Sequence, residues 1–530
     1  MNIVKETHFG RELNVFKNRP KNLTELLSAT IDKFPENEAL VMGGVRLTYK
    51  EMYEKVENIA GNLQHLYDVG KGDRIALLLG NSIEFALLVF ACARIGAIVV
   101  PLNTRLKSEE LAFMLIQSET SILFVDDEFV NIAEKIKGNS ATNLQYLFLI
   151  NSEGSQYKDY IPFEVLEQKS TVANVIVGET DPLFIMYTSG TTGSPKGAIG
   201  NYLGAIHSSL NYEYILKTDQ QTKTLIAVPL FHVTGLIGQL IHIVKVGGTS
   251  VIMRRFKTEE YIRLITEEEI TFLFNVPTIY VMLTSHKDFE KYSYHFVKCI
   301  AYGGAPMSTE TINAIQKYFI NATLHNAYGA TETHSPATIM PQDYSSDKLS
   351  SVGLPVPVAE MMVVNEFDKQ CKPGEVGELL IKGPILIGGY WKNDEANKNS
   401  FFGDYWRSGD LALIDGDGFV YIMDRKKDMI NRGGEKIFSI EVENVLYEHP
   451  KVLEAAVVGI PDEMWGEIVK AVIVPKKSVK IDAEDIKVFV SQKLADFKIP
   501  KVIEFVDELP RNPGGKILKH VLRSWAKKIY

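Results

Sequence analysis

The chain has 530 residues, of which 45% are hydrophobic and 23% charged, with a formal net charge of −9. Those proportions sit near the average for soluble globular proteins and exclude a disordered, collagen-like or fibrous chain. The acidic balance argues against a nucleic-acid coat, which needs a basic surface, and leaves room for a local basic patch that holds anionic ligands. At roughly 100–200 residues per domain the length fits three to four domains, or one large body with a satellite.

Cys92, Cys299 and Cys371 lie far apart and form no CxxC spacing. A disulfide scaffold or structural zinc site is therefore not expected, and this usage suits a reducing cytoplasm. The first residues, MNIVKETHFGRELN, lack an apolar core and do not read as a secretory signal. The longest apolar stretch, Phe85 to Val100, is interrupted by Arg94. It falls short of the ~20 residues that span a bilayer and reads as a buried helix followed by a strand.

Taken in order, Ile75–Leu79 reads as a buried strand, Ser82 to Arg94 as a helix and Ala97–Leu102 as a strand. Ser108–Ser118 is an amphipathic helix with Ser108 as its N-cap, and Ile122–Val125 a further strand. Beyond residue 180, Leu183–Tyr187, Thr224–Val228, Val251–Met253 and Thr271–Val276 read as strands, with a helix over Thr258–Ile270. This alternation predicts an α/β fold with helix-covered, largely parallel sheets. The character changes at the charge cluster Asp424-Arg425-Lys426-Lys427-Asp428, followed by Gly433-Gly434 as a short connector. Beyond it come a helix (Glu441–Glu448), two strands (Leu453–Val458 and Ile468–Val474) and a helix (Asp482–Leu494) with Ile486, Phe489, Val490 and Leu494 on one face. The expected organisation is a large domain over 1–426 and a small α+β domain over 427–530.

The sharpest local motif is Tyr187-Thr-Ser-Gly-Thr-Thr-Gly-Ser-Pro-Lys196-Gly197, which follows an apolar strand. Its hydroxyls and unencumbered backbone N–H groups suit phosphate oxygens, and Lys196 supplies charge. It is not a Walker A loop, because Lys196 follows a proline and precedes a glycine. The order of residues resembles the signature loop of the adenylate-forming enzymes: acyl-CoA synthetases, aryl-CoA ligases, firefly-type luciferases and peptide-synthetase adenylation domains. Six further blocks resemble that superfamily in its order: Ala301–Pro306, Asn326–Thr333, Gly377–Leu379, Trp406–Leu411, Asp424–Gly434 and Leu509–Lys516.

The resemblance implies a chemistry. A carboxylate attacks the α-phosphorus of ATP to form acyl-AMP, and the thiol of coenzyme A then displaces AMP. It also implies residue roles. Lys516 would bridge the carboxylate and α-phosphate, His232 would steer the carboxylate, and Glu332 would hold Mg²⁺ with Thr188 as a weaker contact, a hard ion preferring oxygen donors. ATP would be held by Thr188, Ser189, Gly190, Thr191, Thr192, Gly193 and Lys196 around the phosphates. Gly304, Ala305, Pro306, Asn326, Ala327, Tyr328, Gly329 and Thr331 would also bind ATP, the Gly303–Pro306 backbone, Asn326 and Tyr328 forming the adenine wall, with Asn326 reading the base edge and Tyr328 stacking on the ring. Asp410 would accept from both ribose hydroxyls, and Arg425 would donate to the same sugar.

Val233, Thr234, Ile237, Gly303, Gly304 and Ala327 would line the acyl slot. No aspartate stands in the Phe231 block to hold a substrate amine, and no arginine stands there to pair a second carboxylate. An apolar slot lined by glycines suits a fatty or a flat aryl acid, and the reading leans to a medium or long aliphatic acid. Lys427 matches the hinge about which the small domain rotates between half-reactions. Gly433, Gly434, Lys436, Trp465, Phe497 and Lys501 would meet coenzyme A, although Ile499 stands where related aryl-CoA ligases carry an arginine. From Lys498 onward eight Lys/Arg face three acids, an attractor for ATP and coenzyme A. The expected protein is thus a cytoplasmic AMP-forming acid–CoA ligase, monomeric or homodimeric, without nucleic-acid partners or a transmembrane segment and compatible with peripheral membrane contact. An acyl-AMP ligase that serves a separate carrier protein, and a non-catalytic nucleotide-binding protein, are the rival readings.

Overall fold

The computed structural model describes residues 2–150, 157–188, 195–305, 307–476, 479–511 and 517–525. Apolar runs too short to cross a membrane have become the centre of a seven-stranded sheet. Its order is Lys196–Asn201, Pro182–Thr188, Ile98–Pro101, Arg74–Leu78, Ile122–Asp126, Tyr146–Ile150 and Ile161–Pro162. All pairs but the first are parallel. Near-continuous hydrophobic strands are what a parallel sheet covered on both faces requires. The helix Ile83–Ile95 is buried almost all round, except at Glu84 and Arg94. Ser82 caps it by accepting from Phe85 N (3.1 Å), and Gly96 ends it in the left-handed region. Among the described residues no helix is long and apolar enough to cross a membrane.

A nine-stranded sheet lies alongside. Its parallel core runs Thr323–Tyr328, Cys299–Gly303, Phe272–Asn275, Lys223–Ile226, Thr249–Ile252 and Glu38–Met42, in that order. The strands expected in these regions are present, each within a few residues of its expected bounds. Ser108 is not a cap: Lys107 holds that place, its backbone N–H donating to Glu110 (3.0 Å), and Ser108 is the first helical residue.

Asn81 stitches the two sheets together. Buried at the end of the strand Arg74–Leu78, it donates from Nδ2 to the carbonyls of Val228 (3.0 Å) and Met253 (3.1 Å). Its Oδ1 accepts from Leu230 N (2.8 Å). This one amide therefore fixes the segment that carries Phe231 and His232.

A third sheet is antiparallel and had no counterpart in the strand pattern. It comprises Glu360–Val364, Gly377–Lys382, Tyr405–Ile414, Phe401–Phe402 and Val420–Arg425. Past Arg425 the chain enters a separate α+β unit with its own apolar clusters, built from residues 430 onward. There Val452–Asp462 and Gly466–Pro475 form a long hairpin, joined by Ile430–Arg432, Glu435–Ile437 and Val502–Phe505. In the helix Ala483–Ser491, Ile486 and Val490 are fully buried as the spacing requires. Gly433-Gly434 is not the connector between units. It is the two-residue turn of the hairpin Ile430–Arg432/Glu435–Ile437, with φ of 62° and 99° that suit glycine.

Asn81→Ala leaves three buried backbone groups without their side-chain partner. It should lower unfolding free energy by roughly 1–3 kcal/mol, read as a fall in the urea midpoint at unchanged slope.

Candidate active site

The hairpin Pro182–Thr188/Lys196–Asn201 brings Thr188 opposite Lys196 and so fixes both ends of the glycine-rich loop. Ser189, Gly190, Thr191, Thr192 and Gly193 lie outside the described residues, as do Pro306 and Lys516. Thr188 Oγ1 donates to Glu332 Oε1 across 3.4 Å, which unites two motifs far apart in sequence. Tyr390 also donates to that oxygen (3.0 Å), and Lys196 Nζ stands 5.6 Å from the centre of the Tyr390 ring. Glu332 Oε2 is left for another partner. Tyr390 belongs to no motif that the sequence singled out, and a lone tyrosine in a glycine-rich turn gives no signal of this role.

The second corner is built on Asp410, buried in the strand Tyr405–Ile414. Tyr328 donates to its Oδ2 (2.5 Å) and Arg425 Nε to its Oδ1 (3.1 Å). Burial, reinforced by the Asp410 charge, pushes the Tyr328 phenol far above its usual range. Burial works against the Arg425 guanidinium, and Asp410 together with Tyr328, Asp428 and Glu332 more than restores it. Each carboxylate oxygen still has one lone pair for a further donor.

Asn326 and Ala327 lie on the strand Thr323–Tyr328, paired with Tyr302 and Gly303. Asn326 Nδ2 donates to the Ser351 carbonyl (3.0 Å), which commits one of its N–H donors to scaffold and leaves Oδ1 and the second N–H for a ligand. Gly303 is held to glycine by a close approach: a Cβ there would fall 2.2 Å from the Ala327 carbonyl oxygen. Gly304, Ala305 and Gly329 are exposed, and Thr331 is half-buried beside Glu332.

The third wall is the segment after Pro229. His232 packs against Phe231, ring centres 4.8 Å apart, with Nε2 buried and without a hydrogen-bond partner among the described residues. Burial, with a smaller push from Arg105, lowers its pKa to about 4, so the ring is neutral at physiological pH. Thr234–Ile241 is a π-helix, a form most often found as short bulges at functional sites. Val233 and Ile237 are buried along it and Thr234 is half-buried. No helix was expected here; the signal in the sequence is Gly235 and Gly238 within an apolar run, where a Cβ at Gly235 would meet the Pro229 carbonyl oxygen at 2.6 Å.

The small unit brings Gly433 and Trp465 together. Gly433 N donates to the Trp465 carbonyl (2.7 Å), and the indole is 41% exposed with Arg432 over its ring. Lys436 and Lys501 are exposed, while Phe497 packs on the unit's core. Lys427 is exposed, with its carbonyl accepting from Arg523 (3.4 Å). Four cations of the basic tail are paired among the described residues, while Lys501 is exposed. Lys498 pairs with Glu441, Arg511 with Glu454, Lys519 with Glu443 and Arg523 with Asp428.

Comparison with known proteins agrees with this geometry. The AMP-binding enzyme model matches residues 27–391, and the AMP-binding enzyme C-terminal domain model matches residues 441–516. The chain belongs to the AMP-binding enzyme family. A 2-succinylbenzoate–CoA ligase of Bacillus licheniformis is 34% identical, over 92% of this chain and 97% of that one. A long-chain-fatty-acid–CoA ligase of Mycobacterium tuberculosis is 32% identical, over 95% and 98%. Among solved structures, the anthranilate CoA ligase AuaEII in complex with anthranoyl-AMP has a TM-score of 0.90 at 28% identity, covering 96% of this chain and 97% of that one. The o-succinylbenzoate synthetase of Bacillus subtilis with ATP and magnesium ion has 0.82 at 30% identity, covering 96% and 100%. This AMP-binding enzyme is an acid–thiol ligase of the AMP-forming class.

Glu6, His8 and Glu179 also cluster closely enough to hold a cation. The buried Arg19 guanidinium already occupies that place, bonding both Glu6 (2.6 Å) and Glu179 (2.6 Å).

Burial also holds His242 and His334 near pKa 4 and His207 near 3. A histidine depressed in the folded state contributes stability that is full above its unfolded pKa of about 6.5. That stability is lost as pH falls from there toward the folded pKa of about 4. Stability of this AMP-binding enzyme should fall between pH 6.5 and 4 by up to about 1.4 kcal/mol per pH unit per buried histidine. His232→Leu should make the slope of urea-midpoint stability against pH shallower by about one proton.

Proposed function

We propose that this AMP-binding enzyme is an acid–CoA ligase that activates a compact aryl acid through its acyl-AMP. The observation that carries the substrate class is the Tyr212–Ser335 hydrogen bond (2.8 Å). Tyr212 spans two walls of the acyl slot: Ser335 follows the Glu332 motif, and a Cβ on Gly238 of the π-helix would lie 3.4 Å from the Tyr212 hydroxyl. Phe274 and His242 pack on the same ring. This buried tie shortens the slot. It favours a flat acid over the aliphatic one to which the sequence reading leaned. The 2-succinylbenzoate and anthranilate ligases among the relatives support the same class, and the long-chain-fatty-acid ligase is the competing precedent.

In the first half-reaction a carboxylate oxygen attacks the α-phosphorus of ATP, the mixed anhydride bond of acyl-AMP forms, and the P–O bond to pyrophosphate breaks as pyrophosphate leaves. Lys196 and the hydroxyl-rich loop that it closes hold the phosphates. Asp410 takes the ribose hydroxyls with its two free lone pairs, and Tyr328 and Arg425 keep that carboxylate in place. Neutral His232 offers its unpartnered Nε2 to the carboxylate without adding charge. Glu332 and Thr188 form an oxygen donor set that fits Mg²⁺, with Tyr390 fixing one Glu332 oxygen. The ion supplies neutralisation of triphosphate charge when bound. Lys516 would supply the charge that bridges the two reactants. In the second half-reaction the thiol of coenzyme A attacks the acyl carbon and AMP leaves, with Trp465, Gly433, Gly434, Lys436, Phe497 and Lys501 on its approach.

The boundary between large and small domains is placed between residues 426 and 427, with Lys427 as pivot. Its exposed backbone lies between buried Asp424 and Ile430, so its angles can change without breaking a core.

A panel of benzoates, cinnamates and saturated C8–C16 acids, scored by AMP release with and without coenzyme A, tests this reading. Aryl acids should give the highest kcat/KM, and AMP release should require coenzyme A. Preference for the saturated acids would overturn the substrate class, and coenzyme-A-independent turnover would point to another acyl acceptor. Lys516→Ala should lower acid-dependent pyrophosphate exchange by about two orders of magnitude or more and spare thioester formation from supplied acyl-AMP. Lys427→Pro should do the reverse.

A further inference from the structure

The helix Tyr202–Leu216 is buried and packs against the π-helix Thr234–Ile241, to which the acyl slot is assigned. At 3.6 residues per turn, Gly204, Ser208, Asn211 and Tyr212 share one face. Two contacts fix where that face looks. A Cβ on Gly204 would fall 2.4 Å from the His334 ring, and Tyr212 bonds Ser335. The face is therefore turned toward residues 333–337, which follow the Mg²⁺-binding motif.

Asn211 and Ser208 lie between these two contacts, and neither has any exposed surface. Asn211 Oδ1, Asn211 Nδ2 and Ser208 Oγ have no hydrogen-bond partner among the described residues. Their neighbours on the same helix are all paired. Asn201 accepts from Gly204 N, His207 bonds Leu203 and Phe16, Ser209 donates to Ala205 and Tyr212 meets Ser335. Buried amides are nearly always satisfied, and one that is not calls for a specific reason. A side chain that keeps both a donor and an acceptor open is matched by a neutral group that is itself both.

We propose that Asn211, with Ser208 one turn before it, reads a hydroxyl group on the acid and so sets the enzyme's specificity for hydroxylated acids over their unsubstituted analogues. This assignment rests on the substrate reading above. The hydroxyl donates to Oδ1 and accepts from Nδ2, and Ser208 supplies a second contact. A second carboxylate is a poorer occupant, because Gly204, Ser208, Asn211 and Tyr212 carry no cation and His232 beside the slot is neutral. An acid without the hydroxyl leaves the amide buried and unpaired, and that penalty is the source of discrimination.

The test compares kcat/KM within matched pairs: cinnamate against its three monohydroxy isomers, and decanoate against 10-hydroxydecanoate. One hydroxylated acid should exceed its plain partner by about tenfold or more, the scale of one net hydrogen bond. Asn211→Leu should bring that ratio close to one and raise the melting temperature, since an isosteric apolar group removes an unsatisfied amide. Ser208→Ala should reduce the ratio in the same direction with minimal change in volume. A wild-type ratio near one in every pair overturns the assignment. So does an Asn211→Leu variant that melts lower with its ratio intact, the mark of a purely structural asparagine. If 10-hydroxydecanoate is favoured while the cinnamates are poor substrates, the Asn211 assignment stands and the aryl reading falls.

Discussion

The site depends on how one buried carboxylate divides its two oxygens. Asp410 gives one to the Tyr328 phenol and the other to the Arg425 guanidinium. Tyr328 ends a strand of the nine-stranded sheet, whereas Asp410 and Arg425 sit on paired strands of the antiparallel sheet. The contact therefore locks two layers at the mouth of the cleft. Asp410 is buried while the Arg425 side chain is 40% exposed, so the cost of parting them falls mainly on the carboxylate left without compensation. The strand Val420–Arg425 also leads the chain into the small unit, so the Asp410 corner and the base of that unit share one foundation.

That foundation continues across the seam. Asp424, one residue before Arg425, accepts from Ser439 N (2.5 Å) at the start of the first helix of the small unit. Lys519 is buried beside it, donating to Glu443 (2.8 Å) and Ser439 (2.5 Å). Burial pushes the Asp424 and Glu443 carboxyls upward, and the ammonium of Lys519 opposes that in both. An orientation that separates Asp424 from Ser439 must rehydrate or re-pair this cluster. The seam thus favours discrete arrangements over continuous flexing.

The parallel strands and their helices were legible in the sequence because burial on both faces leaves continuous apolar runs, as at Ile75–Leu79. The antiparallel sheet was not: Tyr405–Ile414 mixes buried and half-buried positions and carries Arg407, Ser408 and Asp410 along its length. Its functional residues were found only because Trp406–Leu411 resembles a family block. Asp410 stands paired with Arg425, and Glu332 with Thr188, on blocks that the resemblance singled out. The aromatic groups that hold them did not announce themselves, since Tyr390 and the hydroxyl of Tyr328 act through tertiary contacts. Asn211 and Ser208 were hidden for a different reason. Helix Tyr202–Leu216 is buried on nearly all sides, so its polar residues show no periodic pattern against which an unpaired one would stand out.

The ion pairs of the final segment have a kinetic consequence. With Lys498, Arg511, Lys519 and Arg523 paired to Glu441, Glu454, Glu443 and Asp428, these four cations add little long-range attraction to a chain whose overall charge is −9. Polyanionic nucleotides approach against a repulsive field that mobile ions screen over about 8–10 Å. Diffusional encounter is therefore slowest in dilute buffer and quickens as electrolyte is added, opposite to an enzyme that steers its ligands from afar. Capture falls to the short-range grip of the cleft itself.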